Sequence, residues 1–65
     1  MSEIKTWLTL EENGWVFRNN EFSDEPEWIG TLNKLDGSKW FNAYGDNRVL
    51  TKAEMLQIVE WLDKM

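Results

Sequence analysis

The stretch Leu50-Thr51-Lys52-Ala53-Glu54-Met55-Leu56-Gln57-Ile58-Val59-Glu60-Trp61-Leu62-Asp63-Lys64-Met65 closes the chain and decides how the rest must fold. Thr51 stands three residues before Glu54, the capping-box spacing. The hydroxyl accepts an orphan backbone N–H at the helix start, and the glutamate reaches back to the cap's own N–H. A helix is therefore expected from Thr51 onward. Turning each residue by about 100° puts Leu62 at the middle of a broad apolar arc, with Met55, Ile58, Val59 and Met65 around it and Leu56 and Trp61 on its shoulders. Lys52, Gln57, Glu60, Asp63 and Lys64 take the other side. One wide face of this helix needs cover, and the preceding fifty residues are the only candidate.

Those residues read as strands. Ile4 to Glu12 alternates, and Asn13-Gly14 follows as a strong hairpin signal, because a type I′ turn needs positive φ at both central positions. A return strand from Trp15 to about Asn20 is expected. With a two-residue turn, Leu10 lies opposite Phe17 and Leu8 opposite Asn19 on one side, while Trp7, Thr9, Val16 and Arg18 point to the other. Glu21 to Glu27 carries four acids and the only proline, which cannot donate to a central ladder, so it reads as a loop. Trp28 to Lys34 is the third strand, Asp36-Gly37 a second hairpin signal, and Ser38 to Tyr44 the fourth strand. That register pairs Leu32 with Phe41 and Gly30 with Ala43. It also sets Lys34 against Lys39, a like-charge pair with a small cost that leaves a longer loop open. Gly45 to Arg48 is a turn leading into the helix cap.

The expected fold is α+β, a single domain over residues 1–65: two hairpins forming one four-stranded antiparallel sheet, with the C-terminal helix on one face. The face holding Leu8, Leu10, Trp15, Phe17, Trp28, Leu32, Phe41 and Ala43 matches the helix, and the Gly30/Ala43 pair leaves room for it. The opposite face then presents Trp7, Val16, Ile29, Trp40 and Tyr44 among Thr9, Arg18, Thr31, Asn33 and Asn42. That is too apolar for an ordinary solvent face.

Composition narrows the function classes. A chain of 65 residues buries only about 60% of the surface it exposes when unfolded. Five Trp, three Phe and one Tyr exceed what one small core needs, so some aromatics are expected at a surface site or under a second subunit. With no His and no Cys, the chain lacks the usual near-neutral acid/base group, the thiolate nucleophile and the commonest zinc ligands. The acid pairs Glu11/Glu12 and Asp24/Glu25 fall in turns and loops where nothing desolvates them, and they lack the order of a calcium loop. Neither catalysis nor a cofactor nor a metal is expected. The sequence opens on no secretory signal, and no segment approaches the ~20 apolar residues of a membrane span. A cytoplasmic protein with no membrane role is the expectation.

Two binding classes remain. An open antiparallel sheet bearing Trp7, Trp40 and Tyr44 could stack unpaired bases, and four strands followed by one helix resembles, in topology, known small single-strand binders. Against that class stand the net charge of −5 and an open face on which only Lys5 and Arg18 oppose Glu11. The favoured class is protein binding, because Trp, Tyr and Arg among Asn and Thr compose the mixture typical of interface hot spots. The expected contact residues are Trp7, Arg18, Ile29, Trp40, Asn42 and Tyr44, with Asp24 and Glu25 of the acidic loop as a negative patch that could steer a basic partner. A second copy of the chain is a candidate partner, giving a homodimer. By analogy of style, small acidic chains without motifs suit inhibitors of larger nucleic-acid-handling proteins, as phage-encoded host modulators are. The competing expectation is that the aromatics share one core.

Overall fold

The helix begins where the cap predicts. In the computed structural model, which describes residues 5–45 and 49–65, Thr51 Oγ1 accepts the Glu54 N–H at 3.2 Å and Glu54 Oε1 accepts the Thr51 N–H at 2.9 Å. The helix α1 runs Lys52–Lys64. Glu54 in its first turn and Lys64 in its last oppose the helix dipole, and Lys64 pairs with Glu60 at 3.0 Å.

Four strands precede it: β1 (Thr6–Leu10), β2 (Trp15–Asn20), β3 (Ser23–Leu35) and β4 (Ser38–Ala43). They form one curled antiparallel sheet in the order β1-β2-β3-β4, so the α+β architecture is as expected. The β3–β4 hairpin keeps the expected register, with Leu32 opposite Phe41, Gly30 opposite Ala43 and Lys34 opposite Lys39. Asp36 and Gly37 have φ of 51° and 85°, the positive pair that a two-residue type I′ turn requires. The expected turn at Gly45 to Arg48 falls, apart from Gly45, outside the described residues, as does Ile4 of the first expected strand.

Two one-residue irregularities correct the expected faces. The first is in the β1–β2 turn. The Gly14 N–H donates to the Glu11 carbonyl at 3.0 Å and the Glu11 N–H to the Trp15 carbonyl at 2.8 Å, with Gly14 at φ 89°. This is a three-residue loop closed by a left-handed glycine, in place of the two-residue turn. Leu8 therefore faces Arg18 and Leu10 faces Val16. A slip of one residue inverts every side chain of the strand, so Val16 and Arg18 turn toward the helix and Trp15 and Phe17 turn away.

The second irregularity is in β3, where Val16 pairs with Gly30 but Phe17 pairs with Trp28. Ile29 is the extra residue of a bulge. Its side chain joins the helix side alongside Leu32, while Trp28 swings to the opposite face. Glycine is required next to it, since a Cβ on Gly30 would collide with the Asn42 carbonyl oxygen and stand 2.6 Å from the Phe41 ring.

The core is thus Val16, Ile29, Leu32 and Ile58, with Leu8, Phe41, Leu50, Trp61 and Leu62 packed against it. Ile58, not Leu62, is the most buried apolar residue of the helix, whereas Met55, Leu56 and Val59 are exposed. An ion pair turns the helix this way. Arg18, now under α1, binds Glu54 with Nε–Oε2 at 2.6 Å and Nη2–Oε1 at 3.0 Å, and donates to the Val49 carbonyl at 2.9 Å. Docking Glu54 on Arg18 centres the helix on its 54-58-61 stripe.

The acidic segment is also corrected. Only Glu21 and Phe22 form the turn after β2, and β3 already begins at Ser23. Between the Arg18–Glu27 and Asn20–Ser23 pairs the ladder is irregular, which accommodates Pro26, a residue with no N–H to give.

Candidate functional site

The face of the sheet turned away from α1 has no covering element among the described residues. It carries a column of rings. Trp28 lies between Trp15, with centroids 4.4 Å apart and planes 19° apart, and Tyr44, at 4.0 Å and 26°. Each ring owes its place to one of the features above: Trp15 to the three-residue turn, Trp28 to the bulge, and Tyr44 to its position just beyond β4, where its N–H donates to the Ile29 carbonyl at 2.9 Å. The Trp28 indole is itself fixed, donating Nε1–H to the Gly30 carbonyl at 2.9 Å. Its hydrogen bond is made internally, so the ring offers a partner mainly its apolar surface.

Polar side chains surround the column and are mutually ordered. Asn33 Nδ2 donates to Thr31 Oγ1 at 3.1 Å, and Asn19 Nδ2 donates to Thr9 Oγ1 at 3.2 Å. Thr31 and Asn42, paired across β3 and β4, line a shallow cleft of about 280 Å³ with Trp15, Trp28 and Tyr44. Trp40, opposite Asn33, extends the aromatic surface across β4. By alternation Trp7 shares the face with Thr9 at the β1 edge.

Of the contact residues expected from the sequence, Trp40, Asn42 and Tyr44 are exposed and belong to this face, Trp7 is exposed at the β1 edge, where it also borders a cleft with Thr51, Ala53, Glu54 and Gln57, and Asp24 and Glu25 are exposed on β3. Two do not belong there. Ile29 is 1% exposed and lies in the core, because the bulge turns it inward. Arg18 is held by Glu54 and the Val49 carbonyl beneath the helix, because the turn is one residue longer than expected. In their place the face holds Trp15, Phe17 and Trp28. The signals were present in Gly30, since a glycine inside a strand often marks a bulge, and in the β-branched Val16 and Ile29, which suit a packed interior.

The removal of Arg18 changes the electrostatics of the face. Among the described residues Lys5, at its corner, is the one cation that alternation places there, while Glu11 and Glu12 stand at the end of the aromatic column in the β1–β2 turn. The environment of Glu54 shifts its affinity for the proton. Burial pushes it up, but the hydrogen bonds from Arg18 and Thr51 and the guanidinium charge outweigh burial and hold it below the usual value of 4.5. That carboxylate is committed to the helix cap and the ion pair. No group of three or more His, Cys, Asp or Glu among the described residues could hold a metal ion, and no described helix is long and apolar enough to cross a membrane. A scan against protein-family models, a search of curated proteins and a search of solved structures each returned no match to this chain.

Proposed function

We propose that this chain is a non-catalytic binding module that engages a protein partner through the open aromatic face of its sheet. The observation that carries the reading is the ordered Trp15–Trp28–Tyr44 column on a sheet face that no element among the described residues covers. Trp7, Trp15, Trp40 and Tyr44 remain 48, 40, 42 and 55% exposed. At about 150–250 Å² per fully buried aromatic, these four offer roughly 400 Å². Phe17, Trp28 and the Thr and Asn side chains among them bring the face toward the roughly 800 Å² per partner of a standard protein interface. Rigid aromatic anchors ringed by adaptable amides and hydroxyls are the usual hot-spot composition.

The charge distribution supports a protein over a nucleic acid. A phosphate backbone needs several cations, and with Arg18 paired to Glu54 the described face keeps Lys5 against Glu11 and Glu12. The net charge of −5 steers toward a basic partner. Such a module suits a modulator or inhibitor that covers a basic surface of a larger protein, including one that handles nucleic acid.

The test is capture from lysate on the immobilised chain, with and without nuclease, beside a fluorescence titration with a single-stranded oligonucleotide at low salt. A protein retained after nuclease, with tryptophan emission unchanged by the oligonucleotide, is the expected result. Salt-sensitive quenching at micromolar oligonucleotide would replace the protein reading with single-strand binding.

A further inference from the structure

The turn that sends Trp15 and Phe17 to the open face also sets Glu11 and Glu12 beside them. With Asn13 these residues line a cleft of about 540 Å³. Its aromatic walls, Trp15 and Phe17, have centroids 6.3 Å apart and planes tilted by 38°, an open wedge instead of a closed stack. Both glutamates are exposed, and neither side-chain carboxylate has a hydrogen-bond or ion-pair partner among the described residues. Asn13 is engaged, its Oδ1 accepting the Trp15 N–H at 3.1 Å. That bond ties the turn to the strand and keeps the glutamates next to the rings.

An aromatic wedge rimmed by two free carboxylates selects its ligand by chemistry. Ring faces attract cations, the carboxylates accept several N–H donors, and anions are repelled. The group that meets both demands is flat, cationic and rich in donors, which describes a guanidinium better than an ammonium. We propose that this cleft receives an arginine side chain of the protein partner, its guanidinium on the Trp15 indole and its N–H groups directed to Glu11 and Glu12. The inference rests on the open sheet face being a protein-binding surface, and it names the residue with which a basic partner enters.

The probe is the peptide acetyl-(Arg-Gly)3-amide, titrated into the ¹⁵N-labelled full chain, with a second peptide carrying citrulline, the neutral isostere, at each arginine. The five indole N–H resonances, assigned by Trp→Phe substitution, report which tryptophan responds. A saturable shift of the Trp15 resonance is expected, with affinity at least about tenfold weaker for citrulline, which lacks the charge that the rings and carboxylates select. The Glu11→Gln/Glu12→Gln variant, with an unchanged far-UV spectrum, is expected to bind the arginine peptide at least about fivefold more weakly. An unmoved Trp15 resonance, or equal response to citrulline, overturns the inference. Shifts confined to Trp28 or Trp40 overturn the arginine cleft but leave the wider face standing, whereas failure of the face itself shows as undiminished partner capture by Trp40→Gln.

Discussion

Replacing Arg18 with Met keeps the aliphatic stem and removes the guanidinium, which strands the Glu54 carboxylate under the helix. Arg18 is 15% exposed and Glu54 5%. Removing one partner of a buried ion pair costs about 3–5 kcal/mol, and the residual exposure of Arg18 places the expected loss at the lower end, about 3 kcal/mol. A 65-residue domain has roughly 3–10 kcal/mol in total at about 0.05–0.15 per residue, so the loss is a large share of its stability. With a urea m-value near 1 kcal/mol/M, the midpoint should fall by about 3 M or the variant should be unfolded in buffer. The double variant Arg18→Met/Glu54→Gln should recover much of the loss, because it leaves no unpaired charge and glutamine still serves the capping box. The pH dependence follows from the same pair. Since folding lowers the Glu54 pKa below 4.5, its contribution is fully present above that value and is lost as pH falls through the folded pKa. In Arg18→Met the Thr51 hydrogen bonds alone are left to oppose burial, so this source of acid sensitivity should shrink. A loss below about 1 kcal/mol, the range of solvent-exposed pairs, would refute the claim that this contact sets the helix orientation.

Two further substitutions test the packing. Gly30→Ala should cost about 1–3 kcal/mol by overpacking, since the added Cβ meets the Asn42 carbonyl and the Phe41 ring; equal urea midpoints would contradict the bulge geometry. Ile58→Ala should cost about 2–5 kcal/mol, whereas Val59→Ala, 51% exposed, should stay within about 0.5 kcal/mol. Thermal melts of the two distinguish the 54-58-61 stripe from an arc centred on Leu62.

Local chemistry made the elements readable. The Thr51/Glu54 spacing fixes a helix start because only nearby groups take part, and Asp36-Gly37 fixes a turn because both residues accept positive φ. Facing is not local in this sense. The pair Asn13-Gly14 serves both a two-residue turn and a three-residue loop with a left-handed glycine, and the choice inverts β2. The same inversion recurs at Ile29, where alternation from Leu32 back to Trp28 holds only without a bulge. Each error is one residue long, yet together they exchange Val16, Arg18 and Ile29 for Trp15, Phe17 and Trp28. An aromatic face remained predictable throughout, because nine aromatics outnumber the places in a small core; its membership was not. The helix facing was hidden for another reason, since a buried Glu54 is intelligible only once Arg18 is known to lie beneath it.

The open sheet face as the binding surface is tested most directly by Trp40→Gln, measured as the amount of partner captured from nuclease-treated lysate relative to the parent chain. Trp40 is 42% exposed, so its replacement should cost about 2 kcal/mol of folding stability, less than full burial of a Trp, and lower the melting temperature by no more than about 16 °C. Loss of capture, or of self-association if the partner is a second copy, from a variant that still melts cooperatively is the predicted result. Capture at the parental level by the folded variant would contradict it.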